Sequence, residues 1–205
     1  MKIDDGKPVE VIDLKKQFPE HYSTRKKMLA FEMPKATYLS IPGTGAPGGQ
    51  AYIEAIGALY GVVYTSKFTL KAKGITDFKI LPLECRWGEF DHETTPHEQW
   101  QWTLQIRVPD SYKPEWVDMA RGIIKQRKGE EILAPEVVQQ AGYSCLQLLH
   151  LGPYEEFQRT YDLLEQAAAE AGDAIDRTLC REIYLSDPRR TKPERLKTII
   201  RVGVD

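Results

Sequence analysis

Leu179-Cys180-Arg181-Glu182-Ile183-Tyr184-Leu185 and, further on, Leu196-Lys197-Thr198-Ile199-Ile200-Arg201-Val202 form the stretch whose reading decides the fold. Both are short runs of strand-forming residues separated by a polar segment, which predicts a β-hairpin. The triplet Ile200-Arg201-Val202 also occurs earlier as Ile106-Arg107-Val108, at the end of a second hairpin predicted over 78–87 and 100–108. Leu83-Glu84 then takes the place that Arg181-Glu182 takes in the later hairpin. The two hairpins are therefore read as parts of two copies of one module.

Outward from these hairpins, each copy gains a strand and a helix. Thr37, Leu39 and Ile41 alternate with Ala36, Tyr38 and Ser40, predicting a strand over 35–41 that stops at Pro42-Gly43. Ala51, Ala55, Ala58, Leu59 and Val62 recur at helical spacing, with Ile56 and Val63 widening the stripe. They predict a helix over 50–64, weakened by Gly57 and Gly61. The later copy has a strand over 143–151 and a helix over 153–171 stopped by Gly172. Between the copies, Trp116, Met119, Ala120, Ile123 and Ile124 share one stripe of a connecting helix that opens at Pro114 and closes at Arg127-Lys128-Gly129. Asp13 is placed to begin a short helix in a bracing arm ahead of the first copy. The predicted fold class is α+β: an N-terminal arm over about 1–34, a strand-helix-strand-strand module over about 35–110, the connecting helix over about 111–130 and a second module over about 140–205. Pseudo-twofold symmetry relates the modules around a central ligand cleft, which lies opposite the helix-covered face.

A chain of 205 residues that is 41% hydrophobic, 10% aromatic and 28% charged can fill and cover a core, which excludes disordered and low-complexity classes. Its 28 Lys and Arg against 30 Asp and Glu leave a net charge of −2, with no basic footprint for nucleic acid or an anionic membrane. The first residues, Met1-Lys2-Ile3-Asp4-Asp5, lack the apolar run of a signal peptide, and no later run approaches bilayer length, so a soluble cytoplasmic protein is expected. Cys85, Cys145 and Cys180 are widely spaced and fit reduced thiols rather than a disulfide frame. There is no Cys-x-x-Cys or His-Glu-x-x-His, and the glycine-rich stretch from Gly43 to Gly49 lacks the Gly-Lys-Ser/Thr ending of a phosphate loop. No metal and no cofactor is predicted. The cluster from His92 to Glu98 reads as a solvated hairpin loop, because nothing converges its side chains.

Strand parity picks out Glu182. Side chains alternate, so Cys180, Glu182 and Tyr184 share one face while Leu179, Arg181, Ile183 and Leu185 share the other. A carboxylate in the cleft is desolvated and suits cation binding or base catalysis. The competing reading pairs Glu182 with Arg181, Arg189 or Arg201 on a solvated face. Trp100 and Trp102 stand two apart on an apolar strand face with Leu104, Ile106 and Val108, a core pattern as much as a ligand wall. Trp87, Tyr60, Tyr64 and Tyr184 can add walls to an aromatic box that attracts planar or cationic ligands. Tyr154 falls at the mouth of the later helix, where its hydroxyl can donate to a ligand or serve packing alone.

Five segments together carry a resemblance: Pro82-Leu83-Glu84, Trp100-Gln101-Trp102-Thr103, Ile106-Arg107-Val108-Pro109-Asp110, His150-Leu151-Gly152-Pro153-Tyr154 and Glu182-Ile183-Tyr184-Leu185-Ser186-Asp187-Pro188-Arg189-Arg190. In order and spacing they resemble the GyrI-like small-molecule-binding family from about Val11 to the C-terminus. The resemblance implies a duplicated SHS2-type fold with a cleft. Related domains are the drug-sensing lobes of multidrug-responsive regulators, where a buried Glu meets cationic aromatic ligands, and some stand-alone members hydrolyse cyclopropane-bearing DNA-alkylating compounds. It places the key carboxylate at Glu182, with Trp87, Trp102 and Tyr154 nearby. Members resembling this chain carry Leu-Glu-Gly-Leu-Trp-Trp where it has Leu83-Glu84-Cys85-Arg86-Trp87-Gly88, so one wall tryptophan is absent. Gly203 stands where the family has Pro.

Three functions follow as expectations. The first is an enzyme in which Glu182 and Tyr154 are catalytic and Tyr64, Trp87, Trp100, Trp102 and Tyr184 bind an aromatic, hydrophobic or cationic small molecule, with a cyclopropane-bearing genotoxin as substrate. The second is a non-catalytic multidrug-binding or sequestering protein. The third is a gyrase-inhibitor-like interaction protein, which the clustering of aromatics on strands rather than loops disfavours.

Overall fold

A computed structural model describes residues 9–88 and 94–205. In chain order the elements are β1 (Val11–Ile12), α1 (Leu14–Gln17), β2 (Leu29–Met33), β3 (Ala36–Thr44), α2 (Gln50–Ala72), β4 (Asp77–Phe78), β5 (Leu83–Trp87), β6 (Gln101–Val108), α3 (Pro114–Lys128), β7 (Glu136–Gln140), β8 (Tyr143–Leu151), α4 (Phe157–Ala171), β9 (Ile175–Tyr184) and β10 (Lys197–Val204). The fold is α+β. An 8-stranded antiparallel sheet has the order β2-β8-β10-β9-β5-β6-β3-β7, and β1 and β4 pair separately in parallel. The run β8-β10-β9 mirrors β3-β6-β5, so two strand-helix-strand-strand units meet edge to edge where β9 pairs with β5.

Local chemistry accounts for most boundaries. Asp13 caps α1 by accepting from the Lys16 backbone N–H, and Gly172 stops α4 in the left-handed region at φ 84°. α2 continues well past the predicted end. Its last turns are tied down by Ser66, which bonds back to the Val63 carbonyl and accepts from Tyr112, and by Lys67 and Lys71, which pair with buried Asp77. The strand predicted over 78–87 is broken. Asp77–Phe78 leaves to pair with the arm, and β5 begins only after Pro82, which has no N–H for a ladder.

One residue of register separates the predicted repeat from the observed one. Leu83 pairs with Ile106, and Glu182 pairs with Ile200, so Leu83 rather than Glu84 is the counterpart of Glu182. A slip of one residue reverses the face of every side chain. Glu84 accordingly points to the opposite face from Glu182.

The two faces of the sheet differ in character. On one, α2 packs over β3 and β6 with Leu39, Leu59, Val62, Leu104 and Ile106 in the core, and α4 packs over β8 and β10 with Phe157, Leu164, Ile200 and Val202. The other face holds buried charge. Arg181 donates to Glu84, to the Tyr38 hydroxyl and to Gln140 at 2.6 Å, although three strands separate β9 from β7. Arg201 donates to Gln147 and to the His21 carbonyl. The arm closes this face: Leu14 and Tyr22 pack with Leu81, Ile183 and Ile199, while the His21 ring stacks between Phe18 and Phe31.

Candidate functional site

Glu182 lies on the helix-bearing face, which corrects the expectation that its cleft would lie opposite the helices. The aliphatic side of β9, represented by Ile183, is covered by the arm instead. The two modules do not stack face to face. They join side by side, so the helices stand apart above the β5–β9 seam and leave a cleft of about 1670 Å³ between them. α2 supplies Tyr52, Ile56, Tyr60 and Tyr64 as one wall, α4 supplies Phe157, Tyr161 and Glu165 as the other, and Leu83, Trp87, Cys180, Glu182 and Tyr184 form the floor. The volume exceeds the roughly 300–1,000 Å³ usual for a small-molecule site.

Glu182 is only 6% exposed at the bottom of this cleft. Tyr184 donates to Oε2 at 2.7 Å, Tyr161 donates to Oε1 at 3.4 Å, and the Trp87 side chain beside them also favours the charged form. Burial pushes the carboxyl up to about 7, and these partners restrain the rise. Burial and the neighbouring carboxylate drive the Tyr161 and Tyr184 hydroxyls well above their usual range, so both remain donors. The alternative pairings with Arg181 and Arg201 are excluded by geometry: both guanidinium groups are buried on the opposite face with other partners. Arg189 pairs with Asp187.

The aromatic residues sort by depth. Trp87 lies parallel to Tyr52, with ring centres 6.1 Å apart, and edge-on to Trp100 at 5.6 Å. Trp100 reaches the cleft and donates its indole N–H to the Thr95 carbonyl. Tyr154 lies in a single 3-10 turn ahead of α4, its ring 5.8 Å from Tyr184, and its hydroxyl has no hydrogen-bond partner among the described residues. Tyr64 is 47% exposed at the mouth, in a row with Tyr60 and Phe68. Trp102 is not a wall. It is 3% exposed in the core behind Tyr52, lies against Gly43 and donates to the Gly45 carbonyl, so its place in the predicted ligand set is corrected to a packing role.

Sequence reasoning missed Tyr52 and Tyr161. Both were legible in part: Tyr161 falls four residues after Phe157 on the predicted later helix, one turn along the same face. Tyr52 opens α2 one position off the predicted apolar stripe. Of the loop cluster from His92 to Glu98, His92 and Glu93 lie outside the described residues, and His97 packs its ring against Trp100. Among the described residues no group of three His, Cys, Asp or Glu side chains could hold a metal ion, and no helix is long and apolar enough to cross a membrane. The three cysteines are free thiols.

Comparison with known proteins bears on this cleft. A solved structure of an uncharacterized conserved protein from Listeria innocua is 32% identical, with 95% of this chain and 100% of that one covered at a TM-score of 0.85. A second, of a hydrolase from Listeria innocua, is 31% identical, with 95% and 100% covered at 0.84. The C-terminal domain of EcmrR is 13% identical, with 87% of this chain and 97% of that one covered at 0.58, a likeness of fold alone. Curated proteins yield no significant match. The model of the GyrI-like small molecule binding domain matches residues 133–205, which contain Glu182, Tyr184, Tyr154 and Tyr161. With that match, and with relatives alike over nearly the whole chain, the protein belongs to the GyrI-like small-molecule-binding domain family.

Proposed function

We propose that the cleft binds an aromatic, largely hydrophobic small molecule and hydrolyses cyclopropane-bearing genotoxins, with Glu182 as the base. One observation carries this reading: a carboxyl tuned to about 7 at the bottom of an aromatic cleft, with no lysine or arginine side chain bonded to it among the described residues. A group with that affinity takes a proton from water near neutral pH and releases it readily. The water oxygen bonds to a ring carbon as Glu182 takes its proton. The strained C–C bond breaks, and its electron pair passes into the conjugated carbonyl, whose oxygen then accepts a proton. The net change is addition of one water. The Tyr154 hydroxyl supports the charge on that oxygen, while Trp87, Trp100 and Tyr184 hold the ring system. The name hydrolase carried by a 31% identical relative supports the reading.

The test is incubation of the purified protein with a cyclopropanoid alkylating agent, following product mass and residual DNA alkylation. A product one water heavier, formed with turnover and absent with Glu182→Gln, is the expected outcome. Binding that quenches tryptophan fluorescence without product supports the second reading, sequestration. That alternative draws on the same carboxylate acting as a counter-charge for cationic aromatics.

A further inference from the structure

His150, the last residue but one of β8, is 5% exposed and turned toward α4. Its ring is bonded at both nitrogens: Nδ1 lies 2.7 Å from the Thr160 hydroxyl of α4, and Nε2 lies 3.1 Å from the Pro153 carbonyl. A carbonyl oxygen can only accept, so Nε2 carries the proton, and in the neutral ring Nδ1 then accepts from Thr160. Burial lowers the affinity of the ring for a second proton, which keeps it in this neutral form at neutral pH. The same Pro153 carbonyl accepts from the Glu156 backbone N–H at 3.2 Å, which closes the 3-10 turn Tyr154–Glu156. Gly152, at φ 136°, gives the chain the bend that precedes this carbonyl. The imidazole also packs edge-on against Phe157, with ring centres 4.8 Å apart.

We propose that His150 is a positioning residue for Tyr154: by holding the Pro153 carbonyl, and with it the turn that opens at Tyr154, it fixes where the Tyr154 ring and hydroxyl stand in the cleft. The proposal rests on the reading in which the Tyr154 hydroxyl serves the ligand. Tyr154 depends on such support. Its hydroxyl has no hydrogen-bond partner among the described residues, so the ring is placed by the backbone of one short turn and by contact with Phe157 at 5.4 Å and Tyr184 at 5.8 Å. A 3-10 turn has poorer hydrogen-bond geometry than an α-helix and is a weak anchor by itself. Thr160 acts at one further remove, because its donation to Nδ1 selects the tautomer that has a proton to give to Pro153. Thr160, His150 and Pro153 thus tie the start of the turn to the body of α4 and to the end of β8. Placement matters here: a shift of about 1 Å in a group that meets reacting atoms can cost on the order of a hundredfold in rate.

The experiment is NMR of the full chain at neutral pH. Nitrogen-15 labelling of histidine reads the tautomer in the wild-type protein, where the His150 ring is recognised by its contacts with Phe157 and Thr160: a protonated Nε2 and an unprotonated Nδ1 are expected. The reverse tautomer overturns the proposal, whether or not any variant folds. Carbon-13 labelling of tyrosine rings then reads position, since the rings of Phe157 and Tyr184 shift the Tyr154 signal by an amount that depends on where it stands; Tyr154→Phe identifies that signal. His150→Phe keeps a ring against Phe157 and removes both hydrogen bonds. It should move the Tyr154 signal and leave those of Tyr38, on β3, and Tyr112, ahead of α3, in place. His150→Gln gives up the ring but keeps an N–H for the Pro153 carbonyl, and should return the signal most of the way to its wild-type position. Near-ultraviolet circular dichroism checks that each variant is folded. An unmoved Tyr154 signal in His150→Phe overturns the proposal. So does a displacement that His150→Gln shares in full, which makes His150 a packing residue. No step uses turnover, so a protein that proves inert toward cyclopropanoids disposes of the hydrolytic reading and leaves this one to the spectra.

Discussion

Arg181 and Glu182 are neighbours in the chain, yet their charges do not pair. Arg181 is wholly buried on the arm-covered face with Glu84, Tyr38 and Gln140, and Glu182 faces the cleft on the other side of the sheet. Strand geometry enforces the separation. The cation spends its hydrogen bonds on the fold, which leaves the carboxylate to tyrosines, an indole and whatever enters the cleft.

Glu182 makes stability fall as pH rises. Its folded value of about 7 lies above the ordinary carboxylate value of 4.5, so between those limits the folded chain binds more protons than the unfolded one. Relative to Glu182→Gln, the wild-type protein should therefore lose stability from pH 4.5 to 7, by roughly 3 kcal/mol across the window. Urea denaturation of both proteins at a series of pH values measures the difference; parallel curves would show that the carboxyl is not held in its protonated form.

His21 acts in the opposite sense. Desolvation, with Arg201 and Arg107 nearby, lowers it from 6.5 to about 3, and its Nδ1 accepts from Arg107 at 2.9 Å, which requires the neutral ring. The unfolded chain binds the extra proton between pH 3 and 6.5, so this contribution is present above 6.5 and is lost as pH falls toward 3. Replacing His21 by Gln should lower stability at pH 7 and flatten the acid side of the profile. A variant that keeps the wild-type acid slope would place the sensitivity elsewhere.

Glu84 tests the face opposite the cleft. It is 1% exposed and holds fully buried Arg181 at 3.1 Å. Glu84→Ala strands a buried cation and should destabilise the fold by about 3–5 kcal/mol, read as a lowered urea midpoint. The loss should be much smaller if Glu84 and Arg181 are both replaced by apolar residues.

Gly43 tests the packing of Trp102. A Cβ at this position would lie 2.1 Å from the indole ring, a distance that forces the ring to move. Gly43→Ala should cost about 1–3 kcal/mol by overpacking and alter tryptophan emission through Trp102 and the Tyr52 ring against it.

Much of this molecule could be read from its residues, and the exceptions have physical causes. Period-two and helical patterns located the strands and helices of both units because each has one apolar side. β2 and β7 were missed: they are the edge strands of the sheet, and Glu136-Val137-Val138-Gln139-Gln140 shows little alternation. Parity placed Glu182 and Tyr184 on one face correctly but could not say which face the helices cover. That depends on how two units join, and the aliphatic side of β9 turned out to bury itself against the arm. Trp102 misled for a related reason. It shares a face with Trp87, and only α2, lying across it through Tyr52, makes one a core residue and the other a wall.

The palindromic strand order has one more consequence. β10 runs along β8 from Lys197 to Gly203, whereas the ladder joining the two halves has, among the described residues, two registered pairs, Glu84 with Ile183 and Cys85 with Glu182, beside the Arg181 side-chain bonds. A guest lodged between α2 and α4 therefore has a lever on the shortest ladder in the sheet, with the carboxylate at its fulcrum. Amide hydrogen exchange along this seam should slow when the cleft is filled, and larger guests should be admitted by spreading the halves rather than by rearranging either core.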